Sequence, residues 1–280
     1  MKDKNNLYFI KLTIDLAFKF IFGEPKNIEL LKSLLKDITK LPIERLEGLG
    51  FMGEELHRDS LTDRKTIVDV RAVLTDKTQV EIEMQVQNYH DMGKRSLHEW
   101  AKMYSSQLKK NDAFTDLAKC ICINITAFDY TGKETGYSRS GIKDIDTNET
   151  LKGMDDLDIY FVELPKREQV GDMRLRKWMA LLSSQTWEEM KRNAEGDDIM
   201  SQVYEQARTI AMNESQRIEV LNRELFLIGQ NSIKHYEREQ GKLEGKLESA
   251  KAMLEDGLDI KKIIYYTGLS EEEILTLKLI

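Results

Sequence analysis

The stretch that most constrains the fold is residues 66–87, with the sequence TIVDVRAVLTDKTQVEIEMQVQ. Two runs rich in β-branched residues are joined by a polar tetrapeptide at 75–78, which predicts a β-hairpin. Along the second run apolar and polar residues alternate, so the two sets point to opposite faces of the strand. The apolar set is Val80, Ile82, Met84 and Val86, and the polar set is Glu81, Glu83, Gln85 and Gln87. An ordinary half-buried strand alternates in the same way, so the pattern predicts a strand but no function.

Asp69 is the unusual residue of the first run. It lies between Val68 and Val70, where strand propensity disfavours aspartate and burial would penalise its charge. If Asp69 lay close to Glu83 and Gln85 in space, the three side chains would form an oxygen-rich pocket suited to a hard divalent cation. The alternative interpretation is a plain polar face of the sheet.

The register of the hairpin decides between these interpretations. A two-residue turn at 76–77 would pair Asp69 with Met84 and would place Asp69 and Glu83 on opposite faces. The site therefore requires a loop with an odd number of residues, or a β-bulge. If it forms, Asp69 and Glu83 would hold one or two Mg²⁺ ions, which lower the pKa of a bound water and neutralise charge on a scissile phosphate. Gln85 cannot act as a base, but it would orient the water or lend its carbonyl oxygen to the metal.

The charge of the chain bears on its partners. Its 280 residues are 41% hydrophobic, enough to bury a sizeable core, and carry a net charge of −7, which argues against nucleic-acid binding by most of the surface. Residues 93–119 differ, because six basic and three acidic residues give them a local charge of +3. No apolar run approaches the ~18 residues of a membrane helix and the N-terminus lacks signal-peptide features, so we expect a cytoplasmic protein with no membrane partner.

The remaining patterns predict an α/β fold, in which a small mixed sheet flanked by helices precedes an all-helical C-terminal region. A strong helix at 94–110 would place Arg95, Lys102 and Lys109 on one face, because these residues recur every seven positions. The other predicted helices are 14–22 with Thr13 as its cap, 28–38, 173–193, 199–213 and 214–254, and the predicted buried strands are 119–128 and 157–164.

The last forty residues predict a helix-turn-helix, with Ser270 and Glu273 as a capping box. This helical hairpin is poorly suited to bind DNA. Residues 241–280 contain six basic and eight acidic residues, and the second helix begins with three glutamates at 271–273, which DNA phosphates would repel. We therefore favour partner binding or oligomerisation for residues 241–280.

Three motifs in order carry a resemblance to a known family: TIDLAFKFIFG at 13–23, VDVR at 68–71 and IEMQ at 82–85. Together with the tail that ends in TGLSEEEI, they resemble the Rpn family of recombination-promoting nucleases, also described as transposases of the PD-(D/E)XK nuclease superfamily. The resemblance implies a restriction-endonuclease-like core and Mg²⁺-dependent DNA cleavage, with Asp69 and Glu83 as metal ligands.

The resemblance also assigns roles to other residues. Gln85 occupies the position of the superfamily's lysine, so the cation that polarises water or phosphate would come from Arg95 or Lys102 on the following helix. Asp15 matches an early acidic position of the family and would join the catalytic group, although an aspartate in a first helical turn is equally explained by the helix dipole. Arg95, Lys102 and Lys109 are the expected DNA contacts.

The sequence therefore predicts a nuclease-like domain at 1–170, a helical region at 171–240 and an oligomerising or partner-binding hairpin at 241–280. The predicted function is a DNA endonuclease that uses Mg²⁺, or another divalent cation such as Ca²⁺ or Mn²⁺. It would promote recombination or act against foreign DNA, as a homodimer or higher homo-oligomer. The alternative is a catalytically silent interaction protein with a nuclease-like fold, which the charge of −7 and the missing lysine favour.

Overall fold

The computed structural model describes residues 7–42, 46, 50–51 and 70–277. The chain divides into two compact units, residues 1–223 and residues 224–280. The first unit contains the sheet and most of the helices, and the second contains the C-terminal hairpin.

The first unit is built on a mixed sheet of six strands in the order β1-β2-β3-β4-β6-β5. Strands β3, β4 and β6 are parallel to one another, and the remaining neighbours pair antiparallel. Every residue of β4 and β6 is buried, as expected for parallel strands covered on both faces. The strands are β1 (Gly50–Phe51), β2 (Val70–Val73), β3 (Gln79–Gln85), β4 (Cys120–Thr126), β5 (Tyr137–Ser140) and β6 (Leu157–Glu163).

Seven helices accompany this sheet in the described part of the first unit, and the last of them continues into the second unit. They are α1 (Asp15–Phe22), α2 (Ile28–Thr39), α3 (Met92–Ser105), α4 (Met173–Leu182), α5 (Trp187–Ala194), α6 (Asp198–Met212) and α7 (Glu214–Glu255). The four leucines of α2 (Leu30, Leu31, Leu34 and Leu35) are all buried, as in an amphipathic helix that packs on a core. Trp178 of α4 is fully buried, and its indole N–H donates to Asp37 of α2 over 2.7 Å.

Helix α3 covers one face of the sheet. Its Met92 and Met103 pack in a cluster with Cys120 and Cys122 of β4 and with three residues of β6, Leu157, Ile159 and Phe161. Cys122 pairs with Glu81 and Asn124 with Glu83 in the parallel register of β3 and β4, so the two glutamates lie on the same face as this cluster. The sheet thereby holds two acidic side chains beneath α3.

Two predicted helix limits are wrong. Thr13 does not cap α1, because the helix begins at Asp15 and its N-cap residue, Ile14, provides no side-chain hydrogen bond. Helix α3 ends at Ser105 and not at Lys110. The hydroxyls of Ser105 and Ser106 donate to carbonyls of the last turn, and such local bonds compete with helix continuation.

Lys109 is therefore not on the helical face that carries Arg95 and Lys102. Its backbone N–H donates to Asp112 Oδ2 over 2.7 Å, in the loop after α3. The single helix predicted at 173–193 is likewise two helices, because Thr186 caps a new start by accepting from the Glu189 N–H. The two predicted buried strands are present as β4 and β6.

The second unit contains the end of α7 with α8 (Ile260–Thr267) and α9 (Glu271–Leu277). Their apolar core consists of Ala250, Ile263, Leu269 and Ile274. Gly268 ends α8 with φ of 66°, a conformation that favours glycine. The predicted capping box is confirmed, since Ser270 and Glu273 bond reciprocally. Among the described residues, none of the helices combines the length and apolar character needed to cross a membrane.

Candidate active site

The hairpin has the register that the predicted site requires. Val73 pairs with Gln79 and Arg71 with Glu81, so five residues connect β2 to β3. The connection is closed by the Leu74 N–H donating to the Thr78 carbonyl and the Lys77 N–H donating to the Leu74 carbonyl, both over 2.9 Å. The odd-length loop meets the condition set by the sequence. Asp69 itself lies outside the described residues.

Two glutamates of β3 are buried under α3 with arginine partners. Glu83 is 6% exposed and its Oε1 lies 3.0 Å from Nη2 of Arg95 on α3. Glu81 is 4% exposed and its Oε2 lies 2.7 Å from Nη2 of Arg71 on β2. Within the described part of the chain neither oxygen accepts a hydrogen bond of good geometry, although each arginine lies at ion-pair distance. These are buried acceptors that a cation would satisfy.

A third carboxylate completes this acidic cluster. Glu99 of α3 lies one helical turn after Arg95, and its Oε2 is 3.8 Å from Nη2 of Arg71. A small cavity opens between the three carboxylates, and it is lined by Glu81, Glu83, Ser96, Glu99, Cys122, Ile123 and Asn124. Arg71 therefore lies between two carboxylates of the cavity wall.

Burial and crowding perturb the glutamates. Burial raises the pKa of Glu83 to about 7, although Arg95 opposes the shift, and the negative charges of Glu81, Glu99 and Asp15 raise it further. Burial likewise raises the pKa of Glu81, against the opposing effect of Arg71. Acidic groups with raised pKa values that converge on one cavity are typical of functional sites.

Asp15 belongs to the same electrostatic neighbourhood, because its charge acts on Glu83. It is the first residue of α1 and is buried. Its carboxylate accepts from Nε of Arg223 on α7 at 2.9 and 3.0 Å, from Nη2 of the same arginine, and from the Leu16 N–H. The structure thus brings the predicted residue near Glu83 and pairs it with a second cation.

The other predicted site residues are less closely grouped. Gln85 is buried at the end of β3, and its amide nitrogen donates to the Gln87 carbonyl over 3.0 Å, so it offers no positive charge. Lys102 is exposed on α3, and its charge acts on Glu81. Lys109 is exposed beyond the end of that helix.

Sequence reasoning missed three residues of the cluster. Arg71 could have been found from the register, which places it opposite Glu81. Glu99 could have been found from helical spacing, because it follows Arg95 by four residues. Arg223 gives no local signal, since 208 positions separate it from Asp15.

The donors fit a divalent cation as far as they are described. Carboxylate oxygens are the ligands that Mg²⁺ prefers, and Glu81 and Glu83 each have a buried oxygen that accepts no hydrogen bond from the described residues. Within those residues, no group of three or more histidine, cysteine, aspartate or glutamate side chains is arranged to hold a metal ion. The predicted ligand Asp69 is outside that set.

Comparison with protein families gives two matches. The model described as PD-(D/E)XK nuclease family transposase matches residues 12–237, and the model described as Rpn/YhgA-like nuclease family, C-terminal HTH domain, matches residues 243–279. Searches of curated proteins and of solved structures found no significant match.

These matches confirm the resemblance drawn from the short motifs and the predicted fold class, a nuclease-like α/β core followed by a helical region. They support a nuclease that binds DNA. The predicted helix-turn-helix is confirmed as a family domain, whereas the preference for oligomerisation over DNA binding stays a prediction. Because the first match covers most of the sequence, the chain belongs to the PD-(D/E)XK nuclease family of transposases, with an Rpn/YhgA-like helix-turn-helix domain at its C-terminal end.

Proposed function

We propose that this protein is a metal-dependent endodeoxyribonuclease that hydrolyses phosphodiester bonds in DNA. The observation that carries the proposal is the Glu83 carboxylate, which is buried on β3 beside Glu81 and has a raised pKa. A buried carboxylate oxygen that accepts no hydrogen bond is costly for the fold unless a ligand uses it. The family match supports the use of that ligand in cleaving nucleic acid.

Asp69 and Glu83 are the proposed metal ligands, and Glu81 lies close enough to Glu83 to act on its charge. Mg²⁺ is the proposed ion, with Mn²⁺ and Ca²⁺ as alternatives that oxygen ligands also bind. When bound, such an ion lowers the pKa of a coordinated water and neutralises charge on the scissile phosphate.

Protein groups supply the remaining functions. Gln85 would orient the attacking water through its side-chain amide. Arg95, at 3.0 Å from Glu83, supplies the positive charge that a lysine at position 85 would have provided. Lys102 and Lys109 contact the DNA backbone, and Asp15 joins the catalytic group from α1.

The proposed setting is cytoplasmic, with a role in recombination or in defence against foreign DNA. Because a double-strand break needs two active sites, we propose that the protein acts as a homodimer or higher homo-oligomer assembled through residues 241–280. Deleting those residues would then lower the mass of the particle in solution, as light scattering would measure. An unchanged mass would reject this role of the tail.

The second candidate function is a catalytically silent interaction protein. It is favoured by the arginine partners of Glu81 and Glu83, which already balance the charges that a metal would neutralise. The net charge of −7 and Gln85 point the same way.

Plasmid nicking distinguishes the two candidates. The wild-type protein, Asp69→Ala and Glu83→Ala would be assayed with Mg²⁺ and with EDTA, and Glu134→Ala, at an exposed position, is the matched control. We expect cleavage by the wild type and the control in Mg²⁺ only, and none by the two site variants. Metal-independent nicking, or equal nicking by all four proteins, would reject the nuclease.

A further inference from the structure

Arg95 is placed between a buried anion and the solvent. Its Nη2 reaches Glu83 Oε1 over 3.0 Å, while its side chain remains 23% exposed. A guanidinium has five N–H donors in a fixed fork, so one contact with Glu83 leaves most of its capacity unused. Arg95 is thus anchored to the site and still accessible from outside it.

The ion pair between Arg95 and Glu83 is a single contact. That contact is not a hydrogen bond of good geometry, because Oε1 accepts none from the described residues. By contrast, Arg223 donates to both carboxylate oxygens of Asp15. The two ion pairs lie in one electrostatic neighbourhood, but only the Asp15 pair has the bidentate geometry that gives arginine–carboxylate pairs their strength.

The position of Arg95 on its helix favours a second anion. The first turn of α3 contains Lys94 and Arg95 and no acidic residue, and its N-cap residue, Asp91, makes no side-chain hydrogen bond to the helix, so two positive side chains lie at the positive end of the helix dipole. In the structure Glu83 is the anion with which Arg95 forms an ion pair.

We propose that Arg95 changes its anionic partner, pairing with Glu83 in the metal-free protein and with a phosphate of DNA in the metal-loaded protein. A guanidinium and a divalent cation repel each other at one carboxylate, so loading of the site frees the arginine. The planar fork then matches phosphate oxygens. This inference rests on the proposed nuclease function and extends it by a residue that both competes with the metal and binds the substrate.

The two roles predict opposite effects of one substitution. Calorimetric titration of the full-length protein with Mg²⁺ alone, without DNA, would compare the wild type with Arg95→Met, Arg95→Lys and Lys36→Met. Lys36 is exposed on α2, so its substitution removes one positive charge away from the site. We expect Arg95→Met to bind Mg²⁺ about tenfold more tightly, since its competitor is gone, and the Lys36 control to remain within about twofold of the wild type.

The same substitution is expected to lower the rate of DNA cleavage at saturating Mg²⁺, although it raises the affinity for Mg²⁺. We expect Arg95→Met to cut DNA at least about a hundredfold more slowly, and Arg95→Lys to recover part of the loss because it keeps the charge. Thermal melting establishes that each variant is folded. If Arg95→Met does not fold, Arg95→Gln removes the same charge and serves in its place.

The outcomes separate this inference from the proposed function. If the wild type binds Mg²⁺ and cuts DNA but the neutral Arg95 variant binds Mg²⁺ no more tightly than the control, partner exchange is wrong and the nuclease stands. If the neutral Arg95 variant binds Mg²⁺ more tightly but cuts DNA as fast as the wild type, partner exchange is also wrong, since Arg95 would not act on the phosphate. A wild type that neither binds Mg²⁺ nor cuts DNA rejects the proposed function, and this inference with it.

Discussion

Two buried glutamates on the same face of the sheet differ in how the protein treats their charge. Glu163, at the end of β6, is 1% exposed and accepts from the Tyr130 and Thr131 backbone N–H groups at 2.6 and 2.7 Å. It also accepts from the Thr131 hydroxyl at 2.7 Å and from Lys166 at 3.3 Å. Glu83 is buried nearly as deeply, but its one close cation in the described part of the chain is Arg95.

The difference distinguishes a buried carboxylate whose charge is satisfied by hydrogen bonds from one whose charge is not. Desolvation penalises both charges, and hydrogen bonds offset the penalty at Glu163. At Glu83 the penalty is only partly offset, which is why burial dominates and its pKa rises to about 7. Glu83 is therefore short of donors where Glu163 is satisfied, which is the arrangement that the proposed role of metal ligand requires.

The largest expected effect is on catalysis. Glu83→Gln removes the proposed metal-ligating charge while keeping the shape of the side chain, so we expect cleavage of plasmid DNA in Mg²⁺ to fall at least about a thousandfold, roughly 4 kcal/mol of barrier. Glu163→Gln, measured in parallel, would stay within about tenfold of the wild type. Equal losses of cleavage rate in the two variants would mean that the different hydrogen bonding of the two glutamates does not determine which of them acts in cleavage.

For stability we expect the reverse, with a larger loss from substitution of Glu163 than from substitution of Glu83. Glu163→Ala removes the acceptor of two partly buried N–H groups, while Lys166 keeps Asp129 and the Lys133 carbonyl as acceptors, so we expect the substitution to lower the free energy of unfolding by about 2 kcal/mol. Urea unfolding followed by circular dichroism would measure the change. Glu83→Ala in EDTA should cost less than Glu163→Ala, and a larger loss at Glu83 would contradict this account of the two sites.

The raised pKa of Glu83 gives a pH-dependent prediction. A carboxyl group whose folded pKa is about 7 and whose ordinary value is 4.5 binds its proton more tightly in the folded state. Its contribution therefore favours folding at low pH, is lost as the pH rises from about 4.5 to 7, and leaves a constant penalty above pH 7. Glu83→Gln removes that penalty.

We therefore expect metal-free Glu83→Gln to gain stability over the wild type by about 2 kcal/mol at pH 8, and by much less at pH 5. Urea unfolding in EDTA at the two pH values would measure both differences, with Glu163→Gln as the control that should show no such gain. A difference that is the same at both pH values would indicate that the charge of Glu83 is not the cause.

Local patterns predicted much of the fold. The strands of the hairpin, the buried strands β4 and β6 and the helix α2 are all present, because each depends on residues close in sequence. The end of α3 was missed, since the serines at 105 and 106 stop it by bonding to the last turn, which helical periodicity does not reveal.

The site was only partly predictable. The alternation of β3 identified Glu83 and Gln85, and the motif resemblance added Asp15. The partners that distinguish Glu83 from Glu163 depend on register and on distant chain segments. Arg71 lies opposite Glu81 because the length of the hairpin loop sets the register of the two strands. Arg223 on α7 binds Asp15, although 208 positions separate the two residues in the sequence. Such contacts form only after the sheet and helices have packed.

The smallest expected effect concerns a third buried carboxylate, that of Asp158 on β6. Arg139 donates to both of its oxygens at 2.6 and 2.9 Å, and Lys119 lies 2.9 Å from Oδ2. Lys119→Met leaves the bidentate pair intact, so we expect a loss of less than about 1 kcal/mol in urea unfolding. A carboxylate with several donors should lose little stability when one donor is removed. Loss of Arg95 should instead leave Glu83 with an unbalanced charge and so raise its affinity for a cation. If Lys119→Met were as costly as Glu163→Ala, the number of donors would not be what distinguishes a structural carboxylate from a candidate ligand in this protein.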